Sequence, residues 1–239
     1  YFNDLSFNDG NLKTIVDSFI EDPTTIENTY GNMNSWNVSN VTDLSGIFNG
    51  EINFNQSIGE WNVSNVENMR KMFNGANNFN KDISGWNVLT VTNMNKMFNS
   101  AIRFNQDISG WTVSNVTNMS DMFNNAIIFN QPIGAWDVMK VDDMFNMFKN
   151  AKKFNQDISG WTVSSVTDMS SMFNNAISFD KPIGKWDVSN VVDMSSMFHG
   201  ATSFNQPIGD WDVSDVTRMT NMFHDATSFD QDISGWNVS

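Results

Sequence analysis

A chain of 239 residues with 27 acidic and 13 basic side chains carries a formal charge of −14, which argues against nucleic acid and anionic membrane surfaces as partners. Cysteine is absent, excluding disulfides and thiolate metal sites, and no apolar run approaches the roughly 18 residues of a membrane-spanning helix. Aromatic side chains make up 13% of the chain, too many for a disordered one.

The chain opens at Tyr1 without a signal-peptide pattern, as a mature or excised form would. Leu12, Ile15, Val16, Phe19 and Ile20 follow Asp9 and Asn11 at helical spacing, and Asp22-Pro23 closes the stripe. A second helix is predicted from Pro23 to Tyr30, stopped by Gly31. Residues 1–35 therefore read as a helical N-terminal cap, and 36–239 as one repeat domain.

All 9 tryptophans share one register: Trp36, Trp61, Trp86, Trp111, Trp136, Trp161, Trp186, Trp211 and Trp236, each 25 residues apart. With Trp as position 1, valine fills positions 3 and 6, methionine dominates 9 and 12, and Phe, Ala, Phe and Ile fill 13, 16, 19 and 23. Met33 stands where the repeat has Ile, three residues before Trp36. Ile58-x-x-Trp61-x-Val63-x-x-Val66 has leucine-rich-repeat spacing, and Trp61 and Val63 alternate as a strand does. Met69, Met72, Phe73 and Ala76 sit at i, i+3, i+4 and i+7, one face of a short helix that Asn74-Gly75 would end. The expected fold is an α/β repeat solenoid: a right-handed, leucine-rich-repeat-like stack of eight full strand–helix coils and a partial ninth, a rod about 40 Å long. No polar cap precedes Ser239, so a truncated array is expected, its natural polypeptide continuing.

The consensus FNQDISGWxVSNVTNMSxMFNxA, carried closely by Asn105–Trp111 and Val116–Phe123, resembles the 25- to 26-residue BspA-like bacterial surface-protein repeat, familiar from Mycoplasma-type and Listeria-type lipoproteins. The resemblance covers about residues 12–239. It implies an exported, cell-associated protein used in adhesion or surface structure. It brings no catalytic activity or shared ligand, so no site residue follows from it.

The exposed face of the predicted sheet, positions 24, 25, 2, 4 and 5, is the expected ligand face. Its members are Asn62, Ser64, Asn65, Asn87, Thr112, Ser114, Asn115, Asp137, Met139, Thr162, Asp187 and Asp212, mostly small and polar, so a merely solvated face is the alternative. The 136–160 repeat departs most from consensus, with Met139, Lys140, Asp142-Asp143, Phe145, Lys149, Lys152 and Lys153, marking either a contact patch or drift. Asp187, Asp210, Asp212 and Asp215 on adjacent coils suit Ca²⁺, although no DxDxDG loop is present, and no other cofactor is implied. His199 and His224, one repeat apart, would share a metal only with a third ligand that the spacing does not reveal. The position-20 column, Asn55, Asn80, Asn105, Asn130, Asn155 and Asn205 with Asp180 and Asp230, is expected to bond the backbone of the return loop. Sequons at Asn37, Asn40, Asn55, Asn62, Asn115, Asn118 and Asn237 fall mostly out of the consensus itself.

The function expected is a non-catalytic, secreted or cell-surface adhesion or recognition module that takes an extracellular protein, peptide or glycan. The alternatives are a spacer or filament subunit that self-associates, and, less favoured, an ice-binding solenoid, whose regular Thr ladder the mixed position 2 lacks. Catalysis is not expected, since no motif interrupts the array, and neither is membrane insertion by this segment.

Overall fold

The computed structural model describes residues 6–238, so residues 1–5 of the expected cap and Ser239 lie outside the described residues. In chain order it contains β1 (Ser6–Asn8), α1 (Leu12–Glu21), α2 (Pro23–Tyr30), a 3₁₀ turn (Met33–Ser35) and β2 (Asn37–Asn40), with β1 and β2 paired in parallel. The helices occupy the stretches where apolar spacing predicts them. α1 buries Leu12, Val16 and Phe19. α2 starts on the Asp22 carboxylate, which accepts from the Thr25 N–H at 3.1 Å, and ends at Gly31, φ 76°. Phe7 stacks on Trp36 at 4.9 Å, and Phe19 meets the same indole edge-on at 5.9 Å.

From Trp36 onward the chain is a repeat protein, built of 25-residue units that hydrogen-bond in register. Its local structure differs from the strand and helix that the spacing suggests. Among the described residues the units hold no helix, and beyond β2 they pair only through seven isolated parallel bridges at position 8, from Asp43–Asn68 to Asp193–Arg218. Positions 9–16 form a run of tight turns instead. Position 11 is left-handed at Lys71, Lys96, Asp121 and Asn146 (φ 54–58°), and position 15 at Gly75, Ser100, Asn125 and Asn150 (φ 57–72°). One such residue every four ends any α-helix.

The reason the turns win lies in the backbone hydrogen bonds. A helix of about eight residues would leave about half of its N–H and C=O groups without internal partners. In the turn form every second N–H closes a turn, as Met72 N–H to Met69 O (3.1 Å) and Ala76 N–H to Phe73 O (3.0 Å). The alternate ones donate to the next unit: Met69 to Asn93 O (2.9 Å), Lys71 to Asn95 O (2.8 Å), Phe73 to Met97 O (2.9 Å) and Gly75 to Asn99 O (2.7 Å). The methionines, Phe and Ala predicted to share a helical face still all point inward, and Met69, Met72, Phe73 and Ala76 are fully buried.

Stacking of like on like fills the interior. Phe98, Phe123 and Phe148 lie 5.7 Å apart in one column, and Phe104, Phe129 and Phe154 about 6 Å apart in another. Within a unit the two columns touch, as at Phe123–Phe129, 4.0 Å. Each buried indole N–H also needs an acceptor. Trp111 Nε1 finds it at Ile83 O (3.2 Å) and Trp136 Nε1 at Ile108 O (3.2 Å), one unit back, while Trp61 uses Met33 O (2.8 Å), so Met33 does take the place of the repeat's Ile.

The asparagine column bonds the return-loop backbone as expected. Asn105 Oδ1 accepts the Asn130 N–H (2.9 Å), Asn130 Oδ1 accepts that of Asn155 (2.9 Å), and Asp180 does the same for Asn205 (3.0 Å). Asn105→Leu is therefore expected to cost about 1–2 kcal/mol in urea unfolding, because the Asn130 N–H loses its partner. Asn105→Asp, which keeps the accepting oxygen as Asp180 does, should stay close to the parent.

At the first unit, Asp9 replaces a missing neighbour. In later units the position-7 N–H donates to the preceding unit, as Thr92 to Glu67 O (2.9 Å). Among the described residues, Thr42 N–H meets no such carbonyl. The Asp9 carboxylate accepts its N–H (2.8 Å), its hydroxyl (2.7 Å) and the Asp43 N–H (3.0 Å). Burial alone would raise the Asp9 pKa, but these bonds outweigh it and hold the carboxyl below the ordinary value.

Candidate binding surface

The alternation of the units sets the positions of the surface side chains. Trp61 and Val63 face the core, which leaves Asn62 outside, and the same holds at Asn87, Thr112, Asp137, Thr162, Asp187 and Asp212, all exposed. Much of this face is committed to the fold, which the spacing does not reveal. Oδ1 of Asn62, Asn87, Asp137, Asp187 and Asp212 each accepts the backbone N–H two residues on, at 3.1–3.2 Å, forming an Asx-turn. Asn65 and Asn115 donate across to the preceding unit, to Ser39 O and Leu89 O, both at 2.8 Å. Among the described residues, the hydroxyls of Ser64, Thr112, Ser114 and Thr162 enter no such bond. Leu89 and Met139, 44% and 55% exposed at position 4, add apolar area between them. Asn62, Asn65 and Asn115 thus hold the surface in shape, and the hydroxyl and apolar groups are the ones left to offer.

The candidate calcium residues are not gathered. No three of Asp187, Asp210, Asp212 and Asp215 bring ligand oxygens within 4.8 Å of one another. Hydrogen bonds from Ser189 hold the Asp187 carboxyl below its ordinary pKa, and bonds from Ser214 do the same for Asp212. The Asp187 and Asp212 carboxylates are therefore ionised at neutral pH and occupied by their own turns.

In the 136–160 unit, Lys140 reaches back to Asn115 Oδ1 (2.7 Å), and Phe145 is 37% exposed. Lys149 is half-buried, and Lys152 and Lys153 project into solvent.

A concavity shares positions 24 and 25 with the predicted face and extends over positions 21–23, which the spacing did not single out. It is a groove of about 840 Å³ along positions 21–25, lined by Ser159, Pro182, Gly184, Lys185, Pro207, Gly209, Asp210 and the 231–235 loop, so it crosses four units. Its origin is in the sequence. Four of the eight full units, those ending at Gly85, Gly110, Gly160 and Gly235, precede Trp with Asp-Ile-Ser-Gly, whose Asp accepts the Ser N–H, as Asp157 does from Ser159 at 2.9 Å. The 161–185 and 186–210 units carry Pro-Ile-Gly instead, replacing that carboxylate and hydroxyl by a proline ring and bare backbone. The glycines are required there: a Cβ at Gly184 would lie 2.3 Å from Pro207 O, and one at Gly209 2.4 Å from Asp232 O. Lys185 and Asp210, both exposed at position 25, put opposite charges on neighbouring units of the rim. The volume falls in the range of small-molecule and peptide sites.

No helix among the described residues is long and apolar enough to cross a membrane. A family model described as Mycoplasma protein of unknown function, DUF285, matches residues 17–126, 85–180 and 156–239. No curated protein and no solved structure matches the chain.

Proposed function

We propose that this chain, which belongs to the Mycoplasma repeat family of unknown function DUF285, is a non-catalytic recognition module, a solenoid of eight coils that binds an extended protein segment or glycan across several coils. The observation that carries the reading is the groove along positions 21–25, which crosses four units and is lined by Pro182, Gly184, Pro207 and Gly209 together with the charged Lys185 and Asp210. Free hydroxyls at Thr112 and Thr162 and the exposed Leu89 and Met139 extend the offered surface along the array. The likeness of the consensus to BspA-like surface repeats supports a cell-surface or secreted location for such a module. Contacts spread over many units make recognition additive.

The test is binding of the labelled full chain to arrays of glycans, matrix proteins and cells. A saturable hit should weaken strongly when Pro182 and Pro207 are both changed to Ser, the residue that position 22 carries at Ser57. Thr112→Ala should weaken it by less than about fivefold, the scale of a contact worth under ~1 kcal/mol. A blank on folded protein, or binding indifferent to the groove substitutions, would sink the reading.

A second reading, a spacer or filament subunit, draws on the 211–235 unit. Phe223 and Phe229 are half-buried there, as is Trp236 just after it, whereas their equivalents in the preceding units are buried. The N–H groups of Met219, Asn221, Phe223 and Asp225 occupy the positions that donate forward in earlier units. In the earlier units, N–H groups at these positions pair with the neighbouring unit. Concentration-dependent association in sedimentation favours this reading, and a monomer at all concentrations disfavours the filament.

A further inference from the structure

We propose that His199, His224 and Asp225 form a binding site for a zinc-class divalent metal ion that bridges the 186–210 and 211–235 units. Position 14 is asparagine in most units, and there the amides can link across, as Asn74 Nδ2 does to Asn49 Oδ1 at 2.6 Å. Both histidines of the chain fall in this column, one unit apart, where their rings stack with centroids at 4.9 Å and planes within 4°. The third ligand missing from the spacing is Asp225, the residue after His224. Its Oδ2 lies 3.2 Å from His224 Nδ1.

One nitrogen from each imidazole and one carboxylate oxygen lie within 4.8 Å of one another, and no other group of three potential ligands does so among the described residues. His199 Nδ1 is buried without a hydrogen-bond partner. A donor atom held in that state lacks the stabilisation that buried polar atoms ordinarily find. Two imidazoles and a carboxylate are a donor set for zinc, cobalt, nickel or copper; calcium and magnesium require a shell of oxygens. Zn–N bonds of about 2.0–2.1 Å place two nitrogens about 3.4 Å apart on one ion, so the stacked rings must toe in. His224, whose side chain is 57% exposed, has the freedom to make that rotation. The ion then joins the 211–235 unit to its neighbour through side chains of both.

Zinc titration of the full chain, followed by calorimetry and by NMR of the imidazole protons, tests the site. The result expected is one ion per chain, with both histidine spectra shifting together and the thermal midpoint rising. Asp225→Asn should weaken binding about tenfold or more, and the double substitution His199→Asn with His224→Asn, which restores the residue common in that column, should abolish both binding and the rise. Absence of saturable binding, a shift of one histidine alone, equal affinity in the double variant, or displacement by equimolar calcium would each overturn the proposal.

Discussion

Phe123→Ala is expected to destabilise the chain by about 3–5 kcal/mol, the cost of emptying a close-packed aromatic site. Phe123 is fully buried and touches rings on three sides: Phe98 and Phe148 at 5.7 Å in the neighbouring units and Phe129 at 4.0 Å in its own. Collapse into the void is restrained, because the backbone on either side is tied to adjacent units, Phe123 N–H to Met147 O at 2.9 Å and Phe98 N–H to Met122 O at 2.9 Å. In an array whose units contact only their neighbours, the weakened interface also uncouples the two halves. Urea unfolding followed by tryptophan fluorescence should therefore show an earlier and broader transition. A single transition at the parent midpoint would mean that the stacked Phe columns contribute far less than their burial implies.

Gly134→Ala is expected to cost about 3 kcal/mol through overpacking, although it adds a single methyl group. A Cβ at Gly134 would lie 2.1 Å from Asp157 O and 3.3 Å from Asp157 C, both backbone atoms of the next unit. Neither unit can withdraw without breaking the register of the backbone bonds that join it to its neighbours. Four units have serine at this position, Ser84, Ser109, Ser159 and Ser234, each in an Asp-Ile-Ser-Gly loop. Exchanging the whole loop, Pro132→Asp, Gly134→Ser and Ala135→Gly together, should accordingly recover most of the stability that Gly134→Ala loses. Equal thermal midpoints for Gly134→Ala and the parent would show that the units have slack at this contact.

The register was legible in the sequence because an uninterrupted period of 25 residues leaves one way to align the units. Local structure was legible only in part. The spacing of Met69, Met72, Phe73 and Ala76 belongs equally to a helical face and to consecutive tight turns with left-handed corners. The discriminating signal was the position-15 column, Gly50, Gly75, Ser100, Asn125, Asn150, Asn175, Gly200 and Asp225, rich in residues that tolerate positive φ. Lys71 and Lys96 masked the same requirement at position 11, since neither suggests a left-handed corner. On the surface, alternation placed Asn62 and Asp187 outside, where they are. That their oxygens are spent on Asx-turns depends on a backbone path that periodicity does not describe. The groove arises from a difference between loop types, Pro-Ile-Gly against Asp-Ile-Ser-Gly, that averaging into one consensus conceals.

The most direct test of this account is thermal unfolding of a chain from which residues 111–135, one whole unit, have been excised, beside a chain lacking only residues 111–122. The first is expected to fold with the parent's aromatic circular dichroism per unit and a modestly lower midpoint, because Gly110 then leads into Trp136 and each ladder closes in register. The second joins position 25 to position 13 and should unfold at a much lower temperature, if it folds at all. Comparable midpoints for the two, or failure of the whole-unit excision to fold, would contradict the 25-residue unit as the element from which the array and its binding surface are built.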